Sequence, residues 1–375
     1  MKIAVLGPPW LSVPPLGYGG TERVFYNVAE GLVKKGHEVT LYATGDSHFS
    51  SKLEYLYPKA LGNNLDLKLN PFYILNHLQH FYKNADSRFD IIHDNASDMM
   101  LSVYFASMIK TPTVFTMHGT YINNPKDPYS VYNIMTSIRN TLVDFKNMNF
   151  VSLSNAQRTI IPELNYVKTV YNGIQLNNYS FDGTGAENII WIGRVNATKG
   201  PEVAFSVASR LKRHIHMRGY IDAGDRTYYE TQVKPVTGEI DEIKGSEEKS
   251  IFFGKAKLYL FPIQYEDTCP LTPLESMSCG TPVITFARGA MPEQIIDGKT
   301  GYLVNPSDDD IRGSWIIKKT GIEGLAEAIE RIYAMSENEY QEMRRACRAH
   351  IEQKFSVDQM VNEYESVYEQ ILNKK

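Results

Sequence analysis

Short, almost wholly apolar runs alternate with amphipathic stretches along nearly the whole chain, and this alternation limits the possible folds most sharply. KIAVLG (2–7), EVTLYA (38–43), FDIIH (89–93), TPTVFTMHG (111–119), NFVSLS (149–154) and VKTVYNG (167–173) are each followed by helical or irregular sequence. Such continuous apolar runs suit strands buried on both faces, which means parallel strands joined by crossover helices. The first crossover, TERVFYNVAEGLVKKG (21–36), has helical apolar spacing and ends in Lys-Lys-Gly. Cations in a last turn and Gly just beyond it are stop signals for a helix. LNNYSFDGTGAEN (176–188) is rich in turn formers and reads as a linker, after which the series restarts. IIWIG (189–193), IHMRG (215–219), AKLYLFP (256–262), TPVITF (281–286) and GYLV (301–304) are its strands, and 320–373 is helical in pattern. At 375 residues the chain exceeds one average domain. The expected fold class is α/β, with two doubly wound Rossmann-like domains, 1–177 and 178–355, and a helical tail.

Composition narrows the partners. With 39 basic and 43 acidic residues the formal charge is −4, so no cationic field points to nucleic acid. Cys269, Cys279 and Cys347 are scattered without metal-ligand spacing, which fits a reducing compartment. The apolar run in MKIAVLGPPW is too short for a signal-peptide core, and no stretch approaches the roughly 20 apolar residues of a membrane span. A cytoplasmic protein is expected. The aromatic stretch NPFYILNHLQHFYKN (70–84) reads as a packed core helix, with a membrane-facing helix, and so peripheral contact at the inner face, as the alternative.

Ligands of doubly wound sheets bind beyond the carboxyl ends of strands, so four loops matter. GPPWLSVPPLGYGGTER (7–23) places glycines before a helix start capped by Thr21, where amides favour anions; a plain glycine-rich loop explains it equally. It lacks the G-x-G-x-x-G of a dinucleotide site. MHGT (117–120) leaves His118 at a strand end, and His93-Asp94 sits comparably. A lone His is more often structural, and spacing gives a His93/Asp94/His118 metal site no support. GRVNATKG (193–200) sets Arg194 and Lys199 before a helix, which opposes the helix dipole unless an anion arrives. In YEDTCPLTPLESMSCGTPVITF (265–286), Thr272-Pro273-Leu274-Glu275 matches a capping box, which would account for Glu275 alone. Glu266 and Asp267 add carboxylates beyond what a cap needs. Cations and helix amides suit a diphosphate, and carboxylates suit sugar or ribose hydroxyls. A nucleotide sugar has both.

PPLGYGGTERV, KKGHEVTLYATGDS, TMHGT, VYNGI, IGRVNATKGPEVA and LFPIQYEDTCPLTPLESMSCGTPVITFARGAMPEQIIDGKTGYLV together resemble the GT-B glycosyltransferases of family GT4 over nearly the whole chain. The branch that includes avilamycin-type antibiotic glycosyltransferases is the most similar. This resemblance implies two Rossmann-like domains with a ligand cleft between them and a last helix, 356–375, crossing back onto the first. It implies a retaining transferase that moves a hexose-type sugar from a nucleotide donor, UDP-sugar favoured over GDP-sugar. The acceptor, a small molecule, lipid-linked sugar or polysaccharide, stays open, as does the oligomeric state. No catalytic metal and no cofactor besides the donor are implied. The family's glycine-rich loop falls on Gly19 and Gly20, its cleft histidine on His118, and its diphosphate cations on Arg194 and Lys199, just after Gly193. Its helix-start amides fall on Leu271 and Thr272, and the second glutamate of its E-x7-E signature, a ribose ligand, on Glu275. The first glutamate is replaced by Asp267, shorter by one methylene, and Pro270 replaces a glycine and removes one amide. Gln175 stands for the usual Asp after NGI. SDDD (307–310) reads as a solvated loop rather than a metal motif. A catalytically degenerate sugar-nucleotide-binding subunit or a GT-B epimerase is the alternative function.

Overall fold

The computed structural model describes residues 1–62, 68, 70–96, 100–122, 134–181, 185, 187–243 and 245–373. The chain forms two compact units, Met1–Gly173 with Val357–Lys375, and Ile174–Ser356. The division, after residue 173, falls four residues before the domain boundary after 177 read from the sequence.

Unit 1 holds a seven-stranded sheet of β1 (Lys2–Leu6), β2 (Glu38–Ala43), β3 (Lys52–Tyr55), β4 (Ile91–Asp94), β5 (Thr113–Thr116), β6 (Asn149–Ser152) and β7 (Tyr166–Thr169). All pairs are parallel, in the order β3-β2-β1-β4-β5-β6-β7. Its helices are α1 (Gly20–Lys34), α2 (Pro71–Tyr82), α3 (Ser102–Ala106), α4 (Ile134–Asp144) and α5 (Asn155–Arg158). Alternate strand residues point to opposite faces. Ala4, Leu6, Ile92, Phe115 and Phe150 join one core with Ile74, Leu78, Phe81 and Tyr82 of α2 and Val103 of α3. The aromatic helix of 70–84 is thus a core element whose inward face is buried. β3, an edge strand of sequence KLEY with no buried residue, carries no apolar run and escapes a reading based on such runs.

Unit 2 holds β8 (Ile189–Arg194), β9 (Ile215–Tyr220), β10 (Leu258–Phe261), β11 (Val283–Phe286) and β12 (Gly301–Val304), parallel in the order β12-β11-β10-β8-β9. Its helices include α6 (Pro201–Arg210), α7 (Gly245–Gly254), α8 (Leu271–Ser278), α9 (Met291–Gln294), α10 (Gly321–Tyr333) and α11 (Glu337–Lys354). The last helix, α12 (Val357–Leu372), packs on α1 in unit 1 and buries Val357, Met360, Val361, Tyr364, Val367, Tyr368 and Ile371. A Cβ on Gly31 of α1 would lie 2.3 Å from Val361 Cγ2, so this close approach needs glycine.

Both sheets reverse their winding beside their first strand, between β1 and β4 and between β8 and β10. Loops leaving the carboxyl ends of strands at such a switch point enclose a crevice, because the flanking crossovers go to opposite sides. Each unit presents its candidate residues there.

Candidate active site

In unit 1, α1 begins at Gly20 with Gly19 as its N-cap, a residue that has no side chain to cap the helix. Thr21, the expected cap, is inside the helix. Gly19 is buried with φ +152°, and a Cβ there would lie 2.7 Å from Pro15 Cβ, so the chain enters the helix in a form only glycine fits. Gly20 is exposed.

His118 is half-buried just past β5, and its Nε2 lies 3.0 Å from Oδ1 of Asn95, just past β4. Gln157 of α5 holds this loop, its Nε2 donating to Met117 O at 2.7 Å and Gly119 O at 2.8 Å. Sequence reasoning found neither Asn95 nor Gln157, which meet His118 only through the fold. Desolvation pushes the His118 imidazole down to about 3. The ring is therefore neutral at neutral pH, a hydrogen-bonding group rather than a cation.

His93 and Asp94 do not both join it, because neighbours on a strand face opposite ways. His93 is enclosed on the α12 side, with Nε2 2.7 Å from Thr116 Oγ1 and Nδ1 2.8 Å from Tyr368 OH. Asp94 accepts from Tyr82 OH at 2.6 Å and Ala96 N at 2.8 Å. Among the described residues, no three His, Cys, Asp or Glu side chains group as metal ligands do.

These buried groups make unit 1 acid-sensitive. Burial pushes His77 down to about 4 and His93 to about 3, like His118. All three sit below their unfolded value of about 6.5, so the unfolded chain binds more protons as pH falls through that window and stability drops. Asp94, pushed by burial up to about 6, acts in the opposite direction between about 6 and its ordinary value of 3.8. Three groups outweigh one, so amide protection factors in β4 and β5 are expected to fall between pH 6.5 and 4.5. Protection that holds constant across that range would contradict the assignment.

In unit 2, carboxylates meet both candidate cations. Arg194, at the end of β8 and following Gly193, donates from Nε to Asp225 Oδ2 at 2.5 Å, with Nη2 4.0 Å from Asp222 Oδ2. Both aspartates lie in the loop after β9. The sequence DAGD (222–225) after a strand end was the signal that could have found them. Lys199 Nζ lies 2.5 Å from Asp267 Oδ2 and donates to Tyr265 OH at 3.2 Å. Tyr265 OH in turn donates to the same Asp267 oxygen at 2.8 Å. Asp267 follows β10, so the two loops flanking the switch point are joined by this pair. A second tie is Tyr259 of β10, whose hydroxyl donates to Ile192 O at 2.7 Å and lies 3.0 Å from Thr272 Oγ1.

The capping-box reading of Thr272–Glu275 is overturned. α8 begins at Leu271, with Pro270 at the N-cap at φ −63° and ψ 139°, where its side chain makes no capping bond. Pro273 then takes the third helical position, where a missing amide costs no intrahelical bond. Leu271 and Thr272, half-buried, contribute first-turn amides. Glu275 lies deeper in the helix with its side chain 2% exposed. It accepts from Tyr179 OH at 2.7 Å and from Lys249 Nζ at 3.0 and 3.2 Å.

Glu266 is engaged by the loop after β11 and by Arg312. It accepts from Gly289 N at 2.7 Å and from Arg288 Nη1 at 3.0 Å, and pairs with Arg312 at 3.1 Å. Gly289, φ +51°, packs so closely that a Cβ would lie 2.2 Å from Asp267 O. The loop after β11 thereby fixes the backbone of 266–267. Ser307, Asp308 and Asp309 are exposed, as expected of a solvated loop, but Asp310 is not free in solvent. It binds Arg288 at 2.8 Å and Arg312, which together hold its carboxyl below the usual range. No described helix is long and apolar enough to cross a membrane.

Comparison with known proteins agrees with this architecture. Residues 18–177 match the profile of Glycosyltransferase Family 4, and residues 182–350 match that of Glycosyl transferases group 1. An uncharacterized glycosyltransferase of Haemophilus influenzae is 22% identical over 301 residues, 76% of this chain and 82% of that protein. AviGT4, a glycosyltransferase involved in avilamycin A biosynthesis, superposes with a TM-score of 0.64 at 18% identity, over 100% of this chain and 99% of its own. Anabaena HepE, solved in complex with UDP and glucose, gives 0.73 at 14% identity, over 99% and 100%. The two profiles together span most of the sequence, and the chain belongs to the group 1 glycosyltransferases of family 4, with their GT-B fold.

Proposed function

We propose that the protein transfers a hexose-type sugar from a UDP-sugar to an acceptor hydroxyl with retention at the anomeric carbon, without a catalytic metal. The observation that carries this reading is the grouping of Arg194, Lys199 and the first-turn amides of α8 beside the β8/β10 switch point, tied by the Lys199–Asp267 and Tyr259–Thr272 contacts. Two cations and a helix start form a diphosphate site, and they stabilise the charge that develops on the leaving group. The C1–O bond to the diphosphate breaks and a C1–O bond to the acceptor forms on the same face. The acceptor proton passes to an oxygen of the departing β-phosphate, so no protein base or nucleophile is required. Neutral His118 donates or accepts a hydrogen bond at the donor sugar, and Glu275 receives the ribose hydroxyls. Anabaena HepE, a structural neighbour, has been solved with UDP-glucose, which supports the choice of base.

Calorimetry without added metal, against UDP, GDP, ADP, NAD and the matching nucleotide sugars, tests the donor. Micromolar binding of UDP and its sugars, and an α-linked product from an α-linked donor, is the expected result. An inverted product would refute the same-face route. An epimerised nucleotide sugar with no transfer would assign the site to isomerisation, and silence toward every nucleotide would mark a degenerate subunit.

A further inference from the structure

The cations in unit 2 are not waiting bare for an anion. Lys199 is only 16% exposed in its side chain and Asp267 10%, and their charged atoms are 2.5 Å apart. Lys199 Nζ also sits 4.8 Å from the ring centre of Tyr265 and 5.6 Å from that of Phe261, so little solvent replaces the carboxylate if it leaves. Asp267 cannot follow its partner or retreat. Ala290 N donates to its carbonyl at 2.9 Å, and Gly289 closes on its backbone from the same loop. An aspartate arm has one methylene, so its reach from that fixed backbone is short. Among the described residues its hydrogen-bond partners, Lys199 and Tyr265, both use Oδ2.

An anion that takes Lys199 therefore strands a carboxylate that is mostly buried and keeps only the Tyr265 hydroxyl. An unpaired buried charge is costly, and hydrogen-bond donors brought by the ligand offset that cost. A nucleoside diphosphate has no group beyond its β-phosphate to offer. A nucleotide sugar carries hydroxyls at that end.

We propose that Asp267 is the resident counter-ion of Lys199, and that their exchange on binding makes the site favour the sugar-bearing nucleotide over the bare nucleoside diphosphate. Asp267 is thus a specificity-determining residue that promotes release of the spent nucleotide. The inference rests on the reading above that Lys199 meets the donor diphosphate, and the test separates the two.

Affinities for UDP and UDP-glucose are measured by calorimetry on the full chain, as wild type, Asp267→Asn and Lys199→Ala, with GDP or ADP and their glucose conjugates used instead if the panel selects that base. Asp267→Asn is expected to tighten UDP about tenfold while tightening UDP-glucose much less, so that the gap between them closes. Lys199→Ala is expected to weaken both about tenfold or more. Asp267→Ala gives the same reading if the amide variant fails to fold. If Lys199→Ala weakens UDP but removing the Asp267 carboxylate leaves UDP unchanged or weaker, the counter-ion role is wrong and the diphosphate site stands. If Lys199→Ala binds UDP as the wild type does, the diphosphate reading of Lys199 fails, and the inference with it. Absence of nucleotide binding by wild type and variants alike overturns both.

Discussion

Arg194→Ala is expected to lower turnover about a hundredfold at saturating donor, a loss of about 3 kcal/mol of transition-state stabilisation. The size follows from the position. The guanidinium stands at the carboxyl end of β8, where a departing diphosphate would gather charge, and only interactions stronger in the transition state than in the ground state raise kcat. Asp225, its side chain 4% exposed, holds Nε at 2.5 Å, so the guanidinium is already oriented before any ligand arrives. The same contact means that alanine would take the Arg194 Nε partner from a buried carboxylate, so a thermal melt must accompany the kinetics. Arg194→Lys keeps the charge and loses the fork that lets one face meet Asp225 and the other an anion, and an intermediate loss is expected. A fall of less than threefold for a folded Arg194→Ala would remove Arg194 from the leaving-group role.

Removing residues 357–375 is expected to unfold unit 1. α12 buries Val357, Met360, Val361, Val367 and Ile371 together with Tyr364 and Tyr368. At roughly 1.5–3 kcal/mol for each fully buried aliphatic side chain, their loss matches or exceeds the 5–15 kcal/mol by which a typical domain is stable. Polar order goes with them: Thr116 Oγ1 lies 2.9 Å from Tyr364 OH, Tyr368 holds His93, and Gly173 N donates to Met360 Sδ. The pairs of Glu365 with Lys35 at 2.6 Å and His37 at 2.7 Å are partly exposed and add little. Limited proteolysis and hydrogen exchange on chain 1–356 check this: residues 1–173 should lose protection and 174–356 should keep it. A truncated chain with the melting profile and transferase activity of the full one would contradict it.

The strands were legible because parallel strands buried on both faces must be apolar throughout, and β2 and β12 fall where the sequence put them. The tail was legible too, since the apolar spacing of Val357, Met360, Val361, Tyr364, Val367 and Ile371 is the buried face of α12. What failed was local inference where tertiary contacts decide. Thr-Pro-Leu-Glu satisfies a capping signature, yet the Thr272 hydroxyl is engaged by Tyr259 and Glu275 by residues 26 and 96 positions away. Asn95, Gln157 and Lys249 carry no motif of their own. Their roles exist only once separate strand ends lie side by side.

The placement of α12 also orders the birth of the molecule. Unit 2 is an insert between two segments of unit 1, and its last residue, Ser356, leaves the ribosome before the helix that completes the first sheet's packing. Domains usually close in the order of synthesis. Here the second-encoded unit has all its sequence first, and the first unit's sheet waits, with the α12-facing side of β4 and β5 uncovered, until the residues of α12 are made.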